Sequence, residues 1–347
     1  MNIQIGTKNI GYSSPCYIIA EGCDNHLGNL DVAREMILQA KLAGADAIKF
    51  QHHLPDEEML PDSPTSANFQ EPLYDFLQKY ALKIGGHREL MAYARSVGIH
   101  YMCTPFSYKA AEEMVAIGLD AIKIGSGEMT DIPSLKKMAT FLGKPMIVST
   151  GMATYDEIDR TYNVINEIGV PLALMYCVSE YPPVYEDMNI LSIATMIKRY
   201  PCALIGHSDH TPDLFTCFAA VTLGAKIIEK HVILDKRQSG PDQSVSIDFQ
   251  DLKTLVDGIR KIEASLGNQK IVHNREKDIR KWAFRSIVTT CDIRAGEQIT
   301  EDKIWSKRPG TGIPSHLRDN IIGRNILKNV AANTLLKWED IDGDKIE

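Results

Sequence analysis

Short apolar segments alternate with amphipathic segments through most of the chain, recurring roughly every 25 residues. The apolar segments have the composition of buried strands, and they span residues 16–21, 47–51, 100–104, 121–126, 145–150, 172–179, 203–209 and 226–232. Between them apolar residues return at i+3 and i+4, most clearly over 30–43, 107–117, 135–141, 155–168 and 214–223. This alternation predicts a series of βα units.

Eight strands with helices between them favour an α/β fold in which a closed parallel (β/α)₈ TIM barrel occupies residues 1–266. A doubly wound sheet is the competing topology. It usually has fewer strands and carries a GxGxxG segment after its first strand, which this sequence lacks.

A polar, charged segment follows the predicted barrel at residues 267–283, and it indicates a linker or connecting helix. Beyond it, short β-like segments at 285–289, 303–305 and 325–330 are separated by turn signals at 294–296 and 308–312. We therefore expect residues 284–347 to form a small β-rich second domain.

Composition excludes several classes of function. A net charge of -7 with acids and bases interspersed leaves no basic stripe, so nucleic acid is not an expected partner. The first residues lack the pattern of a signal peptide, and no apolar run approaches the ~20 residues that span a bilayer, so no membrane association is expected. Seven scattered cysteines are typical of reduced thiols and indicate a cytoplasmic protein.

Polar residues lie at the end of every predicted strand, where barrel enzymes carry their chemistry. These residues are Glu21, Lys49, Gln51, Thr104, Lys123, Ser126, Glu128, Ser149, Thr150, Ser179, Ser208, Asp209, His210, Glu229 and His231. The pattern predicts a polar basin at one end of the barrel.

Lys49 and Lys123 lie within apolar strands, where an unpaired ammonium would cost several kcal/mol, so each needs an anion. That anion is either a neighbouring carboxylate, in a structural ion pair, or a bound phosphate or carboxylate. The second hypothesis is supported by Gly125, Ser126 and Gly127, whose amides can approach an anion. It is also supported by the strand-end hydroxyls of Thr104, Ser149 and Ser208.

His210 and His231 end neighbouring strands and can converge on one divalent ion, because barrel strands lie about 4.8 Å apart. Hydrogen-bonded histidines lining a polar cleft remain the alternative. If a metal binds, two protein ligands leave room for water and substrate oxygen, which favours Mn²⁺ or Mg²⁺. Asp209, Glu229 and His26 are candidates for orienting the histidines.

Glu21 and Glu128 are carboxylates beside the same basin. They are candidates for a general acid or base, for hydrogen bonds to sugar hydroxyls, or for pairing with the two lysines. Spacing does not choose among these roles.

An ordered set of motifs carries a family resemblance. In chain order they are IAEGCDNHLG, IKFQ, TPFS, KIGSGE, STGM, SDHT, EKH and GPD, followed by IWSKRPG and IGR near the C-terminus. The set resembles the sialic acid synthase family of N-acetylneuraminate, legionaminate and pseudaminate synthases, including its C-terminal antifreeze-like (SAF) domain. The resemblance covers nearly the whole chain.

The resemblance implies an enzyme that condenses phosphoenolpyruvate with an N-acetylmannosamine-like amino sugar. It releases phosphate and leaves a nine-carbon 2-keto-3-deoxy acid, N-acetylneuraminate or legionaminate; a pseudaminate or Kdn synthase is the alternative on this scaffold. His210 and His231 match the metal positions and Glu21 a catalytic position. The positions matching phosphoenolpyruvate contacts are Lys49, Thr104, Lys123, Ser126, Ser149 and Ser208. The positions matching sugar contacts are Gln51, Asn68, Glu128, Tyr181, Asp242, Phe284 and Arg308.

In this family an arginine of the antifreeze-like domain reaches the sugar site of the partner subunit, and Arg308 matches it. A domain-swapped homodimer is thereby implied. The chain departs from the family pattern at Gly22-Cys23-Asp24, where relatives often have Ile-Gly-Ile, at Ser179, where asparagine is usual, and at His52-His53. These departures lie near both substrate pockets and concern the identity of the sugar.

Two functions of other classes remain open. A metal-free aldolase would use Lys49 or Lys123 as a Schiff-base nucleophile on a similar barrel. Alternatively, the chain is a sugar-binding protein with a barrel that no longer catalyses a reaction, although the complete set of polar strand ends argues against it.

Overall fold

The computed structural model describes residues 2–64, 69, 71–238, 240 and 242–346. The chain divides into two compact units, Met1–Gly267 and Asn268–Glu347. Among the described residues, no helix combines the length and apolar character that crossing a bilayer requires.

The first unit is a closed barrel of eight parallel strands in the described chain, preceded by an antiparallel hairpin. The hairpin strands are β1 (Asn2–Ile5) and β2 (Lys8–Gly11). The barrel strands are β3 (Tyr17–Glu21), β4 (Ala47–His52), β5 (His100–Pro105), β6 (Ile122–Ile124), β7 (Met146–Ser149), β8 (Leu172–Cys177), β9 (Leu204–Asp209) and β10 (Ile227–His231). Pairing of β10 with β3 closes the barrel. The predicted TIM barrel is confirmed.

Helices connect the strands. They are α1 (Leu30–Ala43), α2 (Pro55–Glu58), α3 (Leu73–Tyr80), α4 (Ile84–Val97), α5 (Tyr108–Ala116), α6 (Ile132–Leu142), α7 (Tyr155–Ile168), α8 (Ser192–Arg199), α9 (Phe215–Thr222) and α10 (Phe249–Ser265). The predicted limits of α1 and α7 are confirmed because local signals define their ends. Asn29 caps the first amides of α1, and Thr154 and Glu157 form a capping box on α7.

Side chains that point into the barrel change character along the strands. At the strand starts they are apolar, as in Ile19, Ala47 and Met102, and they pack with Ile3 and Ile10 of the hairpin into one buried cluster. The inward positions further along are polar: Glu21, Lys49, Thr104, Lys123, Ser149, Ser208, Glu229 and His231, all of which are buried. Because side chains alternate faces along a strand, this change confines polar groups to one end of the barrel. The hairpin that fills the other end was not predicted.

Outward-facing residues pack against the helices as a separate apolar core that includes Ile18, Ile48 and Ile205. A buried ion pair lies on this outer side. Lys230 donates to Asp209 over 2.7 Å, and both side chains are 0% exposed. Asp209 also accepts hydrogen bonds from Thr211 and Thr216. Asp209 and Lys230 therefore brace the last two barrel strands and do not enter the basin, so the sequence-based suggestion that Asp209 orients His210 or His231 is replaced by this role.

Lys230→Met should lower the free energy of unfolding by about 3–5 kcal/mol, because it removes the ammonium group that pairs with the buried Asp209 carboxylate. Urea unfolding followed by circular dichroism measures the change. The matched control is Lys253→Met, which breaks an exposed pair with Asp257 and should cost no more than about 0.5 kcal/mol. Equal effects of the two substitutions would contradict a structural role for Lys230.

The second unit contains α11 (Glu276–Ala283), β11 (Ser286–Thr289), β12 (Ile304–Lys307) and α12 (Arg318–Ile321). Strands β11 and β12 pair antiparallel, and a core of isoleucine, leucine and valine side chains lies beneath them. Helix α11 lies within the segment 267–283 that was predicted as a linker or connecting helix. The predicted strand at 325–330 forms only isolated bridges, among them Ile326 with Ile341 and Val330 with Ile293.

Candidate active site

A cavity of about 430 Å³ opens at the polar end of the barrel. It brings together the sequence-predicted residues of the first unit: Glu21, Lys49, Gln51, Thr104, Lys123, Ser126, Glu128, Ser149, Tyr181, Ser208, His210, His231 and Asp242. Asn68 lies outside the described residues. One concave site therefore contains residues from every barrel strand, as expected for a barrel enzyme.

Two buried lysines and two hydroxyls form the floor of the cavity. Lys49 donates to the Thr104 hydroxyl over 2.8 Å, and Lys123 donates to the Ser149 hydroxyl over 2.7 Å. Burial, helped by the Lys123 charge and opposed by Glu229, lowers the pKa of Lys49 to about 8. A dianion placed here would meet both ammonium groups at once.

Carboxylates also accompany the lysines. Lys49 forms an ion pair with Glu21, and Glu229 lies 3.7 Å from Lys49 and 3.4 Å from Lys123. Ser208 donates to Glu229 over 2.9 Å. Burial opposes ionisation of Glu229, but Lys123 and Lys49 hold its pKa well below the usual range. Glu229 therefore balances the lysine pair, and the sequence-based suggestion that it orients a histidine is replaced by this contact.

Ser126 and the backbone after β7 approach each other at the edge of this floor. The Gly151 amide donates to Ser126 Oγ over 3.1 Å. A Cβ at Gly151 would lie 2.0 Å from Ser179 Oγ, a separation that no side chain tolerates. The chain therefore needs glycine at 151 to keep Ser126 and Ser179 in place.

His210 and His231 face one another at the cavity wall, with ring centroids 5.2 Å apart. Nδ1 of His210 is 2.8 Å from the Val178 carbonyl, so it carries the proton and Nε2 is free to accept or to bind a metal. That Nε2 lies 3.2 Å from the Tyr181 hydroxyl, and the two rings stack. The convergence predicted for the two histidines is present.

His231 has the properties of a metal ligand. Burial, followed by the His210 and Lys49 charges, lowers its pKa well below the ordinary histidine value, so the ring is neutral. Its Nδ1 is buried and has no hydrogen-bond partner among the described residues. A metal ion would satisfy this atom, and the donor set around it fits a divalent cation.

Two further donors lie beside His231. Ligand atoms of Cys23, His231 and Asp242 all fall within 4.8 Å of one another, and all three residues are buried. The Cys23 thiol donates to Asp242 over 2.7 Å. The family resemblance implied a sugar contact for Asp242, and the sequence gave Cys23 no role, because nothing in the spacing reveals that residues 23 and 242 meet.

The opposite wall is built from hydrogen-bonding groups. His53 lies 3.0 Å from Glu58 and 2.9 Å from Gln51, and its ring stacks on Phe106. Burial raises the pKa of Asp24 to about 6, against the opposing effect of His53. This wall offers several donors and acceptors of the kind that bind a polyhydroxylated ligand. His53, which the sequence marked only as a departure from the family, is part of it.

Glu128 belongs to the same wall, and one of its carboxylate oxygens has no hydrogen-bond partner in the described structure. Burial, with a smaller contribution from Glu58, raises its pKa to about 7. The folded protein thus holds this proton more tightly than the unfolded chain does. The resulting stabilisation is complete below about pH 4.3 and is lost as the pH rises through 7.

Glu128→Gln imitates the protonated carboxyl group, so the variant should not lose this stabilisation as the pH rises. At pH 8 the variant should be more stable than the unsubstituted protein by up to about 3 kcal/mol, and the difference should shrink towards pH 5. Urea unfolding between pH 5 and pH 8 measures it, with the exposed Glu167→Gln as control. If the free energies of unfolding of the protein and of the Glu128→Gln variant changed with pH in parallel, the raised pKa of Glu128 would be contradicted.

Phe284 and Arg308 lie in the second unit. Nε of Arg308 donates to the Ala283 carbonyl over 3.0 Å, and its guanidinium lies 5.5 Å from the centroid of the Trp282 ring. The Arg280 guanidinium lies 4.5 Å from the centroid of the Phe284 ring. Phe284 is 52% exposed, so this cluster presents aromatic and cationic groups on the surface of its unit.

Known proteins match nearly the whole length of the chain. The NeuB family model matches residues 36–271, and the SAF domain model matches residues 284–342. The chain is 35% identical over 350 residues to the N,N'-diacetyllegionaminic acid synthase of Legionella pneumophila subsp. pneumophila, covering 97% of this chain and 98% of that protein.

It is also 33% identical over 346 residues to the pseudaminic acid synthase of Campylobacter jejuni subsp. jejuni serotype O:2, covering 97% of this chain and 99% of that protein. Among solved structures it is similar to the N-acetylneuraminic acid (sialic acid) synthetase of Leptospira borgpetersenii serovar Hardjo-bovis in complex with citrate. That similarity has a TM-score of 0.72 at 30% identity and covers 80% of this chain and 95% of that chain.

Proposed function

The chain belongs to the NeuB family and carries a C-terminal SAF domain, and from this premise we propose that it condenses phosphoenolpyruvate with the aldehyde of an N-acylated amino sugar. The family resemblance identified from the ordered motifs is confirmed. The observation that carries the proposal is the placement of a lysine-hydroxyl floor and a histidine pair in one cavity.

In the proposed reaction, carbon 3 of phosphoenolpyruvate attacks the aldehyde carbon of the open-chain sugar. The aldehyde oxygen takes a proton, water adds at carbon 2, and the C–O bond to phosphate breaks. The products are inorganic phosphate and a 2-keto-3-deoxy acid. The sequence motifs favour N-acetylneuraminate or legionaminate as that product, with pseudaminate or Kdn as the alternative.

Lys49 and Lys123 would bind the carboxylate and phosphate of phosphoenolpyruvate, helped by the hydroxyls of Thr104, Ser126, Ser149 and Ser208. Both lysines are held in place by fixed acceptors, so little reorganisation is needed when charge moves from the enol towards the phosphate. Glu21 accepts from the Cys23 amide over 2.7 Å and forms an ion pair with Lys49, which makes it the carboxylate best placed to hold or move a proton.

The sugar would lie along the opposite wall, against Gln51, Glu128, Tyr181 and Asp242. His210 and His231 would hold a divalent ion, for which the sequence favours Mn²⁺ or Mg²⁺. Bound there, the ion would supply Lewis acidity for the aldehyde oxygen. Tyr181 contacts His210 and would keep that ring and the sugar in a fixed relation.

Arg308 and Phe284 are proposed to reach the N-acyl end of the sugar in a partner subunit, in a domain-swapped homodimer. Both side chains are exposed in their own unit, which leaves them available for such a contact. We also propose a cytoplasmic location, since the cysteines are unpaired. Arg308→Ala should raise KM for the sugar and leave KM for phosphoenolpyruvate unchanged.

A Schiff-base aldolase is the second candidate, because the lowered pKa of Lys49 suits an amine nucleophile. The ion pair with Glu21 and the hydrogen bond to Thr104 instead hold Lys49 as a charged anion-binding group. Borohydride treatment in the presence of pyruvate should therefore trap no covalent adduct, while EDTA should abolish activity. A reduced lysine adduct would favour the aldolase.

A phosphate-release assay tests the proposed function. Phosphoenolpyruvate is supplied with N-acetylmannosamine, mannose, 2,4-diacetamido-2,4,6-trideoxy hexoses or their 6-phosphates, each without added metal and with each of several divalent ions, Mn²⁺ among them. Release should require phosphoenolpyruvate, one class of amino sugar and the metal together. Release that is independent of every sugar would contradict the proposal.

A further inference from the structure

Three buried donors from distant parts of the chain converge beside the histidine pair. Cys23 follows β3, His231 ends β10 and Asp242 lies in the segment after β10. Their ligand atoms lie within 4.8 Å of one another. Two ligands of one zinc ion lie about 3.5–4 Å apart, given bonds of about 2.0–2.3 Å, so closure by about 1 Å would complete such a site.

An independent observation points to a ligand at this place. His231 is 5% exposed, and its Nδ1 has no hydrogen-bond partner among the described residues. A buried polar atom without a partner is unusual in a folded protein and requires an explanation. A cation bound between His231 and the two neighbouring donors provides one.

The backbone at Cys23 adds a second argument. Its φ of 47° lies in the left-handed region, where a non-glycine residue has a conformational cost. Glycine, which the family pattern has at this position, would avoid that cost. Strain of this kind is characteristic of functional sites, and here it places the thiol against Asp242.

His210 is positioned to join the group. Its Nδ1 donates to the Val178 carbonyl, which leaves the Nε2 lone pair, now 3.2 Å from the Tyr181 hydroxyl, as the atom that could bind a metal, and its ring centroid lies 5.2 Å from that of His231. A thiolate, two imidazoles and a carboxylate form a donor set whose metal preference differs from that of two histidines alone. Soft thiolate ligands favour zinc, iron and cobalt, whereas Mg²⁺ and Mn²⁺ prefer oxygen ligands.

We propose that Cys23 is a metal ligand of this site together with His231, His210 and Asp242, which would then serve the metal in place of the sugar, and that the protein therefore takes a thiophilic divalent ion, Zn²⁺, Fe²⁺ or Co²⁺, in preference to Mn²⁺ or Mg²⁺. On binding, the thiol releases its proton to solvent and the sulfur forms the bond to the metal. The inference rests on the proposed function in one respect, the use of a metal at His210 and His231.

Cobalt substitution tests the inference without relying on activity. The full-length protein is stripped of metal and titrated with Co²⁺. The amount of bound cobalt per protein chain is then measured by elemental mass spectrometry. We expect one equivalent, with the near-ultraviolet charge-transfer band of a cobalt-thiolate bond. Cys23→Ser should lose the band and bind about tenfold or more weakly. Cys202→Ser, which removes an exposed thiol, should keep both the band and the affinity.

The outcomes separate the inference from the function on which it rests. Cobalt that binds without the band, and that is lost in His231→Ala, would overturn the role of Cys23 and leave the histidine site standing. A protein that retains no cobalt would overturn both. If Cys23→Ser fails to fold, Cys23→Gly removes the thiol and the backbone strain together, and a band that survives in it would equally refute the proposal.

Discussion

His231→Ala should lower kcat/KM by about a thousandfold or more, because a Lewis acid supplies several kcal/mol of transition-state stabilisation and each tenfold in rate is about 1.4 kcal/mol. The side chain is buried and neutral. Its Nδ1 has no hydrogen-bond partner among the described residues, so removing the ring leaves no partner of that atom unsatisfied. The barrel should therefore persist. Steady-state kinetics and bound metal should both be measured, since the two are expected to fall together.

A histidine at the other end of the barrel provides the control. His100 starts β5, and its Nδ1 lies 2.7 Å from the Tyr17 hydroxyl, far along the strands from the cavity. His100→Ala should leave kcat/KM and metal content within about twofold of the unsubstituted protein. A His231→Ala protein that keeps full, EDTA-sensitive activity would show that the metal binds elsewhere.

Lys123→Met should reduce kcat/KM for phosphoenolpyruvate by about 100-fold to 1000-fold, since truncating one member of a buried charge contact costs about 2–5 kcal/mol. The loss has two parts. The substrate loses an ammonium contact, and Glu229 loses the charge 3.4 Å away that offsets it, so it repels the incoming anion. KM for the sugar should change much less, because the sugar wall is formed by other residues.

The matched control is Lys136→Met, which removes an exposed lysine of α6, the helix that follows the strand carrying Lys123. It should leave KM for both substrates unchanged. A Lys123 variant whose KM rises only for the sugar would reverse the assignment of the two halves of the cavity. Circular dichroism of each variant separates loss of binding from loss of fold.

Much of this site was predictable because a parallel barrel converts strand order into position. Once the eight strands are recognised, polar residues at their ends must meet, and register places His231 beside Glu21 and Glu21 beside Lys49. Short local signals were equally informative for helices, as the cap at Asn29 and the capping box at Thr154 show.

Other features depend on contacts that local pattern does not encode. The meeting of Cys23 with Asp242 requires the turn after β3 and the segment after β10 to converge, and neither has a regular period. Glu229 reaches the lysines because it points inward, whereas its neighbour Lys230 points outward to Asp209. The hairpin that fills the base of the barrel has only four residues in each strand. Such short strands show too little periodicity to predict that they pair with each other or pack against the barrel.

Condensation with cleavage of the C–O bond is tested most directly with phosphoenolpyruvate labelled with ¹⁸O in the oxygen that bridges carbon and phosphorus. The protein is incubated with this substrate, the amino sugar that the phosphate-release assay identifies, and metal, and both products are analysed by mass spectrometry. We expect one nine-carbon 2-keto-3-deoxy acid without label and an equal amount of phosphate that carries the label. Label in the keto acid, or pyruvate in place of the nine-carbon product, would contradict the condensation proposed for this cavity.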